Sequence, residues 1–139
     1  MSNKKSGNDF EQRFAEILAR NGYWVHRMTQ NAAGQPFDII AVRRGVARAI
    51  DCKVCETDRF NLSRIEENQE SAMDSWLESE NDGAYFVLEF SDGVIAVIDY
   101  YNLIIQRDFE GKSSLSKRQC LVLAKLILRP GISYENIRI

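Results

Sequence analysis

The sequence lacks the long apolar segments that a membrane protein needs. It has no run of about 18 apolar residues, the minimum for a helix that spans a bilayer. The basic start, with Lys4 and Lys5, is not followed by an apolar segment, so a secretory signal is not expected either. We therefore expect an intracellular, cytoplasmic protein without a membrane partner, and both a cellular and a phage origin stay open.

Residues that bind zinc are also scarce. The sequence has three cysteines and one histidine, His26. Cys52 and Cys55 have the spacing of a zinc or redox pair, but on a strand they would point to opposite faces, and no second pair accompanies them. We expect packed thiols, with a zinc or redox role as the minor alternative. Cys120 lies in an apolar segment and is expected in the core.

An excess of positive charge is missing as well. Lysine and arginine number 18 against 20 acids, which argues against a protein that coats nucleic acid without specificity. A nuclease is not excluded, because acids clustered in a site offset basic residues elsewhere. The 139 residues are enough for one domain with its own core. We expect a single domain over 1–139, with 1–7 as a mobile basic arm and 107–139 as a C-terminal loop and helix extension.

The hydrophobic pattern predicts an α/β fold. Helices are predicted over 8–20, 63–79 and 100–106, and strands over 23–27, 37–42, 46–54, 84–90 and 94–99. The order α-β-β-β-α-β-β predicts a central mixed five-stranded sheet flanked by helices. A further C-terminal helix is predicted over 120–128. Because that helix would be apolar on every face, it would be either deeply buried or shared with a second copy of the chain, and in a chain this small we favour contact in a homodimer.

Two predicted strands carry charged residues where apolar ones are typical. Asp51 and Lys53 share one face of the strand 46–54, and Asp38 lies on the neighbouring strand. Such charges are costly to bury separately. Two carboxylates suit Mg²⁺ or Mn²⁺, and a lysine beside them can hold or activate water and offset charge on a phosphate. The alternative is a plain ion pair on a half-exposed sheet face.

Two helices add polar residues that point toward the same region. Glu11 lies about 20° around the first helix from Leu18, so it is aimed at the core side. Gln69 lies in the middle of the apolar face of the helix over 63–79, where a buried amide must find partners. The alternatives are a first-turn Glu favoured by the helix dipole and a Gln at the margin of a wet stripe.

These residues, in this order, resemble the PD-(D/E)xK nuclease superfamily. Pro36-Phe37-Asp38 stands for its "PD" element with one residue inserted, and Asp51-Cys52-Lys53 for its "(D/E)xK" element. Within the superfamily the chain is most similar to Holliday junction resolvases of the archaeal and RecU types, over roughly residues 7–105. Acid 51 is Asp where many resolvases have Glu. The further signals are Gly7 before Phe10-Glu11, the strand 49–53, the helix with Gln69, and Gly83-Ala84-Tyr85-Phe86-Val87-Leu88.

The resemblance implies a restriction-endonuclease-like core and a homodimer that places two sites on a four-way DNA junction. It also implies Mg²⁺-dependent cleavage that leaves 5′-phosphates, with Mn²⁺ as a substitute ion. Asp38, Asp51 and the main-chain carbonyl of Cys52 would bind the metal, Glu11 would complete the set, and Lys53 would be the catalytic lysine. Gln69 would orient the lysine or the nucleophile. Candidate phosphate contacts are Lys4, Lys5, Arg27, Arg43, Arg44 and Arg48.

Two other functions stay open at this point. The same site on the same fold could act on linear or branched duplex DNA, as in restriction or repair nucleases. The chain could also be a non-catalytic nucleic-acid-binding module of the same fold. Substrate preference separates the first from a junction resolvase, and metal binding separates the second.

Overall fold

The structure is a computed structural model that describes residues 3–29 and 34–139, with side chains from residue 6 onward. The helices are α1 Asn3–Arg20, α2 Glu67–Glu78, α3 Tyr100–Asp108 and α4 Lys117–Leu123, with a short 3₁₀ turn at Leu62–Arg64. The strands are β1 Trp24–Arg27, β2 Ile39–Arg43, β3 Val46–Cys55, β4 Arg59–Asn61, β5 Ala84–Phe90, β6 Ile95–Asp99, β7 Ser114–Ser116 and β8 Leu126–Leu128. Within this part of the chain, no helix has the length and apolar character needed to cross a membrane.

The main sheet is mixed, as expected, and has six strands in the order β1-β2-β3-β5-β6-β8. The central strand β3 pairs antiparallel with β2 and parallel with β5. Strands β4 and β7 form a separate two-stranded sheet. The predicted α/β fold with a mixed sheet flanked by helices is thus confirmed, with one strand more than expected.

Each face of the main sheet is covered by its own apolar cluster. Helix α1 covers one face with the fully buried Phe10, Phe14 and Leu18, and this cluster includes Ile50 and Cys52 of β3. The opposite cluster contains Ala49 and Cys55 of β3 together with residues of α2, α3 and the small sheet; its members include Phe60, Met73, Phe86, Leu103 and Leu115. Alternate side chains of β3 therefore face opposite layers, which decides where its charged residues point.

Helix α1 begins earlier than the apolar pattern suggested. Residues Asn3–Gly7 are helical, so the mobile arm expected for 1–7 is wrong over 3–7, while residues 1 and 2 lie outside the described residues. The apolar spacing marks only the buried part of the helix, and the polar residues before Phe10 continue the same hydrogen-bonded turns. The predicted end of this helix at residue 20 is confirmed, and Gly22 follows with φ 86°.

Helix α2 begins later than predicted, at Glu67. The predicted start at residue 63 is wrong, because Leu62–Arg64 form a 3₁₀ turn and Ile65 is extended with ψ 98°. Burial of Leu62 and Ile65, at 1% and 5% exposure, holds this segment against the core in a non-helical path. The cap comes from Gln69, whose side-chain Oε1 accepts a hydrogen bond from the Glu66 main-chain N–H at 3.2 Å.

The C-terminal segment differs most from the prediction. The expected helix over 120–128 is wrong: α4 ends at Leu123, Ala124 is extended with ψ 132°, and Leu126–Leu128 form strand β8. Leu126 pairs with Val97 and Leu128 with Ile95 in β6. The 107–139 segment therefore supplies strands as well as a helix. The all-apolar helix that supported the homodimer does not exist, so that sequence argument for a dimer fails.

Strand β8 gives a stability prediction. Leu128 is 6% exposed in the α1-side cluster, so Leu128→Ala is expected to lower the free energy of unfolding by about 2–4 kcal/mol through lost burial and a residual cavity. Ile132 is 61% exposed, so Ile132→Ala is the matched control with little expected effect. Urea unfolding of both variants measures the difference. Equal midpoints would contradict the placement of Leu128 in the core.

Candidate active site

The two acids of the hairpin are brought side by side by the pairing of β2 with β3. Ile39 is opposite Ile50 in the register, and the Asp38 N–H donates to the Ile50 carbonyl at 3.0 Å. Asp38 therefore lies across from Asp51 at the start of β2. The two residues are only 8% and 0% exposed, so both carboxylates have lost nearly all of their water.

Asp38 is fixed by hydrogen bonds to both of its oxygens. The Cys52 main-chain N–H donates to Asp38 Oδ2 at 2.8 Å, and the Gln35 side-chain amide donates to Oδ1. The Gln35 main-chain carbonyl in turn accepts a hydrogen bond from the Asn68 side chain at 2.9 Å. The loop before β2 is thereby tied to α2. Sequence reasoning missed Gln35, because a polar residue in a loop carries no periodic signal.

One carboxylate oxygen of Asp51 accepts a hydrogen bond, and the other has no hydrogen-bond donor in the part of the chain that the structure describes. Gln69 Nε2 donates to Asp51 Oδ1 at 3.2 Å. Lys53 Nζ lies 3.3 Å from Asp51 Oδ2 as an ion pair, but Oδ2 is buried and has no hydrogen-bond partner among the described residues. Burial and the neighbouring Asp38 raise the pKa of Asp51 well above its usual value, and Lys53 offsets only part of this effect. The site thus carries unbalanced negative charge at a buried oxygen.

That unbalanced charge fits a divalent cation. Residues 3–29 and 34–139 contain no group of three or more His, Cys, Asp and Glu side chains that could hold a metal ion alone. Mg²⁺, however, commonly takes one or two carboxylates and keeps several waters. Asp38 and Asp51 supply two carboxylates, and the Cys52 carbonyl lies between Asp51 and Lys53 in β3. The donor set therefore suits Mg²⁺ or Mn²⁺ better than Zn²⁺.

The thiol of Cys52 itself is a core group. Its side chain lies in the α1-side cluster at 7% exposure. Burial and the nearby carboxylates of Asp38, Asp51 and Glu11 raise its pKa well above the usual value, so the thiol stays protonated. Cys55 and Cys120 are buried in the opposite cluster. All three cysteines are free thiols, and Cys52 and Cys55 lie in opposite clusters, as the strand alternation indicated.

Glu11 reaches the site from α1 in contact with Arg27. Arg27 Nε donates to Glu11 Oε1 at 3.0 Å, and its Nη2 donates to Asn8 Oδ1 at 3.0 Å. Burial and the nearby Asp38 raise the pKa of Glu11, partly offset by Arg27. Arg27, a candidate for phosphate contact from the sequence, is therefore placed as the partner that holds the Glu11 carboxylate.

The other candidate phosphate contacts are not gathered at this site. Arg43 and Arg44 lie at the far end of the β2–β3 hairpin, about 16 Å along the strand from Asp38 at roughly 3.3 Å per residue. Arg43 lies over the Tyr23 ring at 5.9 Å, and Arg48 Nε donates to the Ile139 carbonyl at 2.9 Å. Lys4 and Lys5 belong to α1, but their side chains lie outside the described part.

Gln69 links the start of α2 to the active-site acid, which gives a second prediction. Gln69→Glu keeps an acceptor for the Glu66 N–H but replaces the amide donor to Asp51 with a second carboxylate. We expect normal helix content and at least a tenfold loss of activity at this site. Gln69→Ala removes both contacts and is expected to cost about 1–2 kcal/mol of stability as well. Circular dichroism, urea unfolding and activity measurements separate the two roles; equal activity of Gln69→Glu and the unaltered protein would contradict the role of Gln69 at Asp51.

Both the sequence and the fold of the chain are similar to those of known proteins. The sequence profile of the archaeal Holliday junction resolvase (Hjc) family matches residues 2–120. No curated protein is similar enough in sequence to be matched with the chain. Among solved structures, the chain is similar to Hjc of Archaeoglobus fulgidus, a Holliday junction resolvase from an archaeal hyperthermophile, with a TM-score of 0.64 and 16% sequence identity. The alignment covers 85% of this chain and 93% of that chain, and it shows a shared fold.

Proposed function

This chain belongs to the archaeal Holliday junction resolvase family, and on that premise we propose that it cuts four-way DNA junctions in an active site formed by Asp38, Asp51 and Lys53. The observation that carries the proposal is the buried pair of carboxylates with a lysine 3.3 Å from one of them. A plain structural ion pair would need one acid for one base. Here two acids and one lysine are held together by Gln35 and Gln69.

We propose Mg²⁺ as the ion, with Mn²⁺ as a substitute. Asp38, Asp51 and the main-chain carbonyl of Cys52 would hold it, and Glu11 would be a further ligand once Arg27 releases part of its contact. Divalent metal dependence is general for the family. When bound, the ion supplies positive charge that stabilises the phosphate and the departing 3′-oxygen during the displacement.

The side chains of this site would do the rest. The Lys53 ammonium would hold the attacking water and offset negative charge on the phosphate, while Asp51 keeps that ammonium in place. The water oxygen would form a bond to phosphorus as the bond from phosphorus to the 3′-oxygen breaks. The attacking water gives up one proton to solvent and the 3′-oxygen takes up one from solvent, which leaves a 3′-hydroxyl and a 5′-phosphate. Gln69 would keep Asp51 in position throughout.

The direct test compares a labelled four-way junction with a linear duplex of the same sequence at one salt concentration. We expect symmetric nicks on the junction that require Mg²⁺, and little cutting of the linear duplex. Cutting of both substrates at equal rates would favour a restriction or repair nuclease. Junction binding without any cutting in Mg²⁺ or Mn²⁺ would favour a non-catalytic module.

We also propose that the chain acts as an intracellular homodimer. A four-way junction is resolved by two symmetric cuts, so two copies of the site would be needed. Among the described residues, a partner copy could cover the exposed apolar side chains of Tyr101, Phe109 and Val122, which are 59%, 82% and 79% exposed. A mass measurement in solution is expected to give twice the chain mass of 16.0 kDa. A single-chain mass at concentrations that cut junctions would contradict the dimer.

A further inference from the structure

A polar groove of about 410 Å³ opens directly beside the catalytic lysine. Lys53 lines it together with residues of the turn that follows β3. Its charged lining consists of three cations, Lys53, Arg59 and Arg64, and one acid, Glu56. Positive charge thus prevails in a groove that shares Lys53 with the proposed cleavage site. Its other lining residues include Gly7, Thr57 and Asn61.

The wall made by β4 presents its polar residues to the groove because of strand alternation. Phe60 is fully buried, while Arg59 and Asn61 on either side of it are exposed. Phe60 is paired with Leu115 of β7, which is also fully buried, so the strand cannot rotate without exposing both. Arg59 Nη1 donates to the Ser114 hydroxyl at 2.7 Å. The small sheet therefore holds Arg59 in a defined position.

Arg64 is fixed on the main chain of β3. Its Nη1 donates to the Val54 carbonyl at 2.8 Å, and its guanidinium lies 5.8 Å from the centre of the Phe60 ring. Val54 is the residue after Lys53, so this contact ties the groove to the catalytic strand. The planar guanidinium has five N–H donors, and the contact with Val54 uses one of them.

Helix α1 leaves the other side of the groove open. Gly7 lines it, and a Cβ added at Gly7 would meet no heavy atom within 4 Å. A glycine in the interior of a helix is less favourable than alanine by about 0.5–1 kcal/mol, so Gly7 makes α1 less stable than an alanine would. The open space is wide enough to leave the groove unobstructed at this point.

We propose that this groove binds the phosphate backbone of the DNA strand adjacent to the scissile phosphate, through Arg59 and Arg64. The inference rests on the proposed function, since it places a specific segment of the substrate next to Lys53. Phosphates follow one another along each strand every 3.4 Å of helix axis, so a strand held at Lys53 presents further phosphates to the groove. Two arginines and an asparagine beside the lysine suit backbone contact, which positions DNA without reading its sequence.

The first test removes one cation. Junction binding is measured as a function of salt in chelator, where no cutting occurs. Arg59→Gln is expected to weaken binding several-fold for every junction sequence and to reduce the slope of log K against log salt by about 1. Arg20→Gln is the matched control, because Arg20 lies at the other end of α1 and its side chain is 74% exposed. An unchanged slope and affinity in Arg59→Gln would overturn the proposal.

The second test leaves every cation in place and changes the opposite wall. Gly7→Gln and Gly7→Glu add side chains of the same size, both compatible with a helix, and differ only in charge. We expect Gly7→Glu to weaken junction binding more than Gly7→Gln, and the difference to shrink at high salt. Equal binding by both variants and the unaltered protein would overturn the groove assignment. Equal binding by all three proteins would leave the proposed function unaffected as long as the unaltered protein cuts junctions. The proposed function itself fails if the unaltered protein neither binds nor cuts them.

Discussion

Asp51→Asn is expected to slow junction cleavage by about 10³-fold or more, and to make the protein more stable when no metal is present. The loss of activity follows because one of two buried carboxylates is gone, and a preorganised charged group in a dry site contributes at least this much. The gain in stability follows from the environment of the acid. Asp51 is fully buried next to Asp38, and Lys53 balances only one of the two negative charges.

The pH dependence of this stability effect has a definite sign. The folded-state pKa of Asp51 is raised, so the folded protein binds a proton more tightly than the unfolded chain does. The free energy of unfolding therefore falls as the pH rises above the pKa of Asp in the unfolded chain, about 3.9. The fall ends once the pH exceeds the raised pKa of Asp51 in the folded protein. The advantage of Asp51→Asn should be absent in acid and present at neutral pH.

Urea unfolding at several pH values, with and without Mg²⁺, measures this effect. Mg²⁺ is expected to stabilise the unaltered protein by preferential binding to the folded state, and not the variant. Asp99→Asn is the control, because Asp99 caps α3 through the Tyr101 N–H at 2.9 Å and an asparagine can keep that cap. Equal stabilisation of Asp51→Asn and the unaltered protein by Mg²⁺ would contradict the proposed role of Asp51 as a metal ligand.

Lys53→Met is expected to reduce the single-turnover cleavage rate by about 10²–10⁴-fold while junction affinity changes only a few-fold. Methionine keeps most of the apolar stem, whose packing contributes to the strand, and removes the ammonium group near Asp51. Lys53→Arg is the matched variant: it keeps the charge but replaces a compact ammonium with a planar fork, so we expect an intermediate rate. The rate is measured on a prebound junction after Mg²⁺ is added.

A cleavage rate in Lys53→Met close to that of the unaltered protein would contradict the catalytic role. Lys53 would then act only as the ion-pair partner of Asp51. Urea unfolding of the same variant gives the independent measure of that structural role, because removing the lysine leaves the two carboxylates without their nearby cation. Loss of stability with a normal rate would identify a structural lysine.

The arrangement of the candidate site was largely predictable because its parts are local. The alternation of β3 places Asp51 and Lys53 together and turns Cys52 to the other layer. The short turn through Gly45 joins β2 to β3 and brings Asp38 opposite Asp51. These relations depend on neighbours in sequence and on the period of a strand, and both can be read without knowing the rest of the fold.

The parts that failed depend on contacts between distant segments. The composition of Leu126–Leu128 is compatible with a helix or a strand. The segment forms a strand because β6 offers an edge with which it can pair. The partner of Arg27 could not be identified either, because the contact joins β1 to α1 across the loop between elements. Gln35 was missed for the same reason. Short apolar runs and loop side chains take their structure from tertiary packing, which periodicity does not record.

The pairing of β8 with β6 also protects the protein from self-association through its backbone. Strand β6 is almost wholly buried, with Ala96 and Val97 fully covered, and it is rich in β-branched apolar residues. Without β8 its unpaired N–H and C=O groups would form a template that another unfolded or partly folded chain could join. The three residues of β8 thus keep an aggregation-prone strand paired within the chain. Detachment of β8 alone, with the rest of the domain intact, is the local opening from which we would expect fibrillar aggregation to begin.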